Sequence, residues 1–152
     1  MEDIVERAIQ HIEEKAREYR IDNAPAFLDP HTVSNYAKLQ LGQEKHEVFM
    51  VLYLNNQHEL IRCVKEFRGT IDGASVYPRV IAAHALEYNA AAVVFAHNHP
   101  SGVATPSTAD QRITERLKSA LSLLDIRVLD HVIVCLEGGH LSTVSFAEQG
   151  LI

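Results

Sequence analysis

Residues 48–54, VFMVLYL, are an unbroken apolar run rich in β-formers, with His46-Glu47 before it and Asn55-Asn56 after it. Such a run reads as a strand buried on both faces. The chain must therefore build a sheet and cover both of its sides. AAAVVFAHNH, residues 90–99, is a second run of this kind, bounded by a helical pattern and a proline, and reads as another central strand. ELIRCVKEF, residues 59–67, carries more charge. It predicts a more exposed strand, joined to the first as a hairpin through Asn55-Asn56, with Ile61, Cys63 and Phe67 on one side.

The covering helices are legible from period. Ile4, Val5, Ala8, Ile9, Ile12, Ala16 and Tyr19 recur at helical spacing over residues 2–20, with Glu6, Arg7, Glu14, Arg17 and Glu18 opposite. Asp22, Asn23 and Pro25 predict a linker over 21–28. Asp29-Pro30 reads as an N-cap and a first-turn proline, opening a second helix that ends near Leu41-Gly42. The stretch RGTIDGASVY reads as a loop or a short further strand. Pro78 opens a helix whose arc Ile81, Ala82, Ala85, Leu86 and Tyr88 faces the core, with His84 and Glu87 opposite. Residues 108–124 form a helix through Ile113, Leu117, Ala120, Leu121 and Leu124. Arg127 to Cys135 is a strand, Gly138-Gly139 a tight turn and HLSTVSF a last strand. The order predicts an α/β or α+β domain, a mixed sheet flanked by helices. Residues 1–43 form an N-terminal helical segment and 44–152 the main domain.

Charge narrows the function classes. Fourteen basic residues against twenty acidic leave a net charge of −6 and a pI near 5.8, whereas a nucleic-acid binder usually carries a basic face and a high pI. No apolar run reaches the ~20 residues that span a bilayer, and the charged, amphipathic N-terminus is not a signal peptide. Cys63 and Cys135 are far apart with apolar neighbours, as buried inert thiols. The reading is a reducing, cytoplasmic setting. Nine histidines are many for such a chain and point to specific chemistry.

That chemistry gathers in FAHNHPSGVATPSTAD, residues 95–110. On a strand His97 and His99 point to one face, and Pro100 and Gly102 end the strand there. Ser107-Thr108-Ala109-Asp110 is a capping signature at a helix start. An acid in a first helical turn is favoured by the dipole and can still bind a metal. If the loop folds back, Asp110 joins the two histidines, and two imidazoles with one carboxylate make a zinc site with an open fourth position.

His97-Asn98-His99, seven residues, then Ser107-Thr108-Ala109-Asp110 matches the JAMM motif H-x-H-x7-S-x-x-D of JAB/MPN-type metalloproteins. EVFMVLYLN, RGTIDGASVYPR, AHNHPSG and LDHVIV resemble the RadC-like branch over roughly residues 44–149. The resemblance implies a sheet wrapped by helices, JAB/MPN-like with cytidine-deaminase-like layering, and Zn2+ at the edge of the central strands. Its enzymes hydrolyse peptide or isopeptide bonds, so it implies a metallopeptidase-type hydrolase acting on a protein or peptide. His97, His99 and Asp110 would bind the metal. Glu47, with Glu44 as rival, would be the general acid/base, and Ser107 would assist the transition state. Full-length members carry a helix-hairpin-helix segment ahead of this domain. None is evident here, and the chain resembles the short stand-alone form found among mobile-element genes. The alternative is a non-catalytic binding module, or a DNA-associated factor, in DNA repair or mobile-element biology. Asp130-His131 resembles the branch's pattern too. A satisfied core histidine is the first reading of His131, and a hydrogen bond to a ligand the second. Arg68, Thr70 and Arg79 read as loop and surface residues rather than a substrate groove. His11, His31, His46, His58, His84 and His140 read as surface or packing residues.

Overall fold

The computed structural model of the protein describes residues 2–18, 30–69 and 76–152. The expected linker over 21–28, Asp29, Thr70 and the middle of RGTIDGASVY fall outside these. In chain order the elements are α1 (Glu2–Glu18), α2 (Pro30–Leu41), β1 (Val48–Leu54), β2 (Leu60–Arg68) and α3 (Pro78–Glu87). They continue with β3 (Ala92–His99), α4 (Thr108–Ser122), β4 (Arg127–Glu137) and β5 (His140–Ser145). One mixed sheet runs β2-β1-β3-β4-β5. Only β3 and β4 are parallel, and a parallel pair needs a crossover, which α4 supplies.

β1 is buried at every residue, as the unbroken apolar run requires. On one side of the sheet Val33, Tyr36, Ala37 and Leu41 of α2 pack on Met50, Leu52, Val94 and Val132, with Ile9 and Ile12 of α1 against the same cluster. On the other side Ile81 and Ala85 of α3 and Ile113, Leu117 and Leu121 of α4 pack on Phe49, Val51, Val93 and Phe95. Each such side chain contributes about 1.5–3 kcal/mol by leaving water. The mixed sheet flanked by helices is thus as expected. The boundary expected at residue 43 falls in the turn after α2, and the core runs across it. There the backbone is tight. A Cβ on Gly42 would stand 2.5 Å from the Lys38 carbonyl and 2.6 Å from the Leu141 side chain.

Three local expectations need correction. Cys63 and Phe67 do not share a side of β2: Cys63 packs with the α2 side and Phe67 with the α3 side. The register shifts between Phe49↔Phe67 and Met50↔Lys65, so Glu66 is an extra residue, and a bulge reverses the alternation beyond it. Leu86 is 60% exposed and leaves the arc of α3. His84 instead packs inward, stacked on Tyr88 and paired with Glu66. Finally α4 ends at Ser122, and Leu124 lies beyond it, 39% exposed. No described helix is long and apolar enough to cross a membrane.

Candidate metal centre

The last three residues of β3 alternate in direction. His97 stacks on Phe49 on the α4 side, where it is buried. Asn98 points the other way. His99 returns to the α4 side beside His97, with the two Nε2 atoms 2.8 Å apart. The turn that ends the strand depends on Gly102 at φ +81°, a conformation other residues adopt only with strain. Its amide donates to the His99 carbonyl at 3.2 Å. The turn brings the Val103 carbonyl to 2.6 Å from His99 Nδ1. A carbonyl only accepts, so His99 Nδ1 carries a proton and Nε2 is the nitrogen turned to Asp110.

Asp110 enters from the first turn of α4. The capping box is formed: the Asp110 amide donates to Ser107 Oγ at 3.0 Å, and the Ser107 amide donates to Asp110 Oδ2 at 2.7 Å. The same carboxylate faces the histidines, with Oδ1 3.2 Å from His97 Nε2 and Oδ2 3.1 Å from His99 Nε2. The carboxylate that caps α4 is therefore also placed where it could ligate a metal. A tetrahedral ion with bonds of ~2.0–2.1 Å spaces its ligand atoms roughly 3.3 Å apart. The two Nε2 atoms stand about half an ångström closer than that and meet different oxygens of the carboxylate, with one donor atom of each residue within 4.8 Å of the others, and His97, His99 and Asp110 could hold a metal ion. Burial pushes the Asp110 carboxyl up, but the two rings and the Ser107 amide outweigh it and hold the group well below the usual carboxylate range. Asp110 raises His99 above an ordinary imidazole, against its partial burial.

A hollow of about 260 Å³ opens over these residues, lined by Glu47, His99, Val103, Thr105, Ser107 and Asp110 among others. Glu47 sits just before β1, and Asn98 fixes its backbone from both sides. Asn98 Oδ1 accepts from the Val48 amide at 2.7 Å, and Nδ2 donates to the His46 carbonyl at 2.9 Å. Glu44 is held elsewhere, by Lys65 at 2.9 Å and Arg68 at 3.5 Å. The Lys65 hydrogen bond, outweighing burial, lowers its pKa. Glu44 lines a second hollow of about 420 Å³ that meets the first at His99.

Two buried residues complete the surroundings. His131 Nε2 lies 2.6 Å from His97 Nδ1, and Thr114 Oγ1 lies 2.6 Å from His131 Nδ1. His131 is a fully buried core histidine, and it also makes the hydrogen bond to His97 that stood as its second reading. Burial holds it well below the ordinary imidazole value. Sequence reasoning passed over Thr114; the available signal was its position one helical turn after Asp110. It also gave Asn98 no role, and Asn98 partners residues about fifty positions away. Arg68 pairs with Glu44, Arg79 lies over the Tyr77 ring at 5.2 Å, and Thr70 is outside the described residues. His11, His31, His46 and His140 are exposed. Both cysteines are free, and burial pushes the Cys63 thiol up to about 11.

Comparison with known proteins agrees with this geometry. The family model described as RadC-like JAB domain matches residues 27–151. A UPF0758 protein of Vibrio cholerae is 52% identical over 149 residues, covering 95% of this chain and 91% of the relative. UPF0758 proteins of Methylibium petroleiphilum and Leptothrix cholodnii are 50% and 49% identical, and the chain spans 64% of the length of each.

Proposed function

The chain belongs to the RadC-like JAB domain family, and from that premise we propose that it is a zinc-dependent hydrolase of the JAMM type, acting on a peptide or isopeptide bond. One observation carries the reading. Two imidazole nitrogens and a carboxylate converge on one point, in a hollow that also holds an acid and a hydroxyl. His97, His99 and Asp110 would hold the metal and leave one tetrahedral position for the reacting group. When bound, zinc supplies the Lewis acidity that activates water and polarises the substrate carbonyl. Glu47 takes the proton of the attacking water as the C–O bond forms. It returns that proton to the nitrogen as the C–N bond breaks. Ser107 Oγ accepts from the Asp110 amide, which leaves its O–H free to donate to the developing oxyanion. The two free thiols suit a reducing, cytoplasmic compartment.

A second reading has one observation in its favour. Val103 and Leu136 are 57% and 53% exposed, and both belong to the walls of the two hollows that meet at His99. An apolar lip suits a docked protein chain, and a module that only docks one, in DNA repair or mobile-element biology, would show it too. The test is Glu47→Gln on the zinc-loaded protein, assayed with a library of peptide and isopeptide substrates. The hydrolase predicts cleavage that falls about 10²–10⁴-fold in the variant at unchanged zinc content. Cleavage by the wild type that survives Glu47→Gln would contradict it. No cleavage by either, with substrates still bound, would favour the docking module.

A further inference from the structure

Resting on the metal site of that reading, we propose that Thr114 and His131 are positioning residues that set the tautomer of His97 before any metal arrives. Thr114 Oγ1 has two close partners, the Asp110 carbonyl at 2.7 Å and His131 Nδ1 at 2.6 Å. The carbonyl cannot donate, so the single hydroxyl proton points to it. Toward His131 the hydroxyl is then an acceptor, and His131 Nδ1 carries the proton.

His131 is fully buried, stacked on Phe146 and edge-on to Phe49 and Phe95. Its two nitrogens face a hydroxyl and another imidazole, neither of them an anion, and a second ring proton would place an unpaired charge in apolar surroundings. The ring is neutral, so its Nε2 is a lone pair that accepts from His97 Nδ1 at 2.6 Å. His97 Nε2 is thereby the nitrogen left for a metal. It faces His99 Nε2, whose ring is oriented by Val103, and the Asp110 carboxylate.

With Nδ1 of each ring turned away, two ring Nε2 atoms and a carboxylate converge on one point, which a metal ion, or a proton shared with Asp110, can bridge. The relay also explains why Thr114 is buried at the i+4 position of α4. One helical turn supplies the ligand oxygen of Asp110 and, through two hydrogen bonds, aims the lone pair of His97. Outer partners of this kind commonly tune metal affinity.

The test begins with ring nitrogen NMR of ¹⁵N-labelled, metal-free wild-type protein, which needs no variant to fold. The relay predicts a proton on Nδ1 of both His131 and His97. A proton on His131 Nε2 would overturn it. Zinc affinity is then measured by competition with a chelator. Thr114→Val, which keeps the shape and loses the hydroxyl, is expected to bind zinc about 10–100-fold more weakly and to lose the fixed His131 tautomer, while Thr114→Ser recovers both. A valine variant with wild-type affinity and tautomer would overturn the relay. If the wild type bound no zinc, the metal reading would fail while the ring protons still decided the relay.

Discussion

Among the described residues, the α3/α4 side of the sheet holds two clusters that pair histidine with carboxylate, and they are built in opposite ways. In the first, Glu66 Oε1 accepts from the Tyr53 hydroxyl and pairs with His84 Nδ1, and His84 stacks on Tyr88. Donors there meet acceptors. The Glu66 side chain is only 3% exposed, yet its charge is met on the spot. In the second, His97, His99 and Asp110 bring two ring nitrogens and a carboxylate within 3.2 Å of one another, while Thr114, His131 and Val103 engage the far sides of the rings. A satisfied buried network adds stability and a single geometry. A network in which two rings and a carboxylate converge on one point could also hold a metal, and under the proposed function the same residue types serve structure in one place and chemistry in the other.

The largest effect expected from this contrast is in the closed cluster. Glu66→Leu strands the Tyr53 hydroxyl and His84, and should cost roughly 2–4 kcal/mol in urea unfolding. Zinc binding should not change. A Glu66 variant that loses zinc would erase the distinction between the two clusters. The smallest effect belongs to the converging cluster. Metal-free His99→Ala should unfold within about 1 kcal/mol of metal-free wild type, because the ring lies at the wall of the hollow and Asp110 keeps His97 and the Ser107 amide as partners. A loss as large as that of Glu66→Leu would mean that the site is an ordinary stabilising network.

The parts of this picture legible in the sequence are those that rest on local period. The runs at 48–54 and 90–96 declare central strands because nothing polar interrupts them. The two-residue step from His97 to His99 places both rings on one face, and Ser107 to Asp110 announces a helix start. What stayed hidden depends on long-range pairing. The bulge at Glu66 arises from how β2 meets β1, and no periodicity within β2 marks it. Asn98, Thr114 and His131 take their roles from partners 50, 17 and 34 positions away. Leu86 fits a helical arc, yet Ala85 and Tyr88 take the core contacts beside it and Leu86 is left exposed.

The central claim is that the converging cluster binds a metal and the closed one does not. Its most direct test is elemental analysis of protein purified without a chelator or histidine tag and then supplied with zinc. About one zinc per chain is expected, lost in His97→Ala and kept in Glu66→Leu. Wild-type protein that stays metal-free when zinc is supplied, or a His97→Ala variant that keeps its zinc, would contradict it.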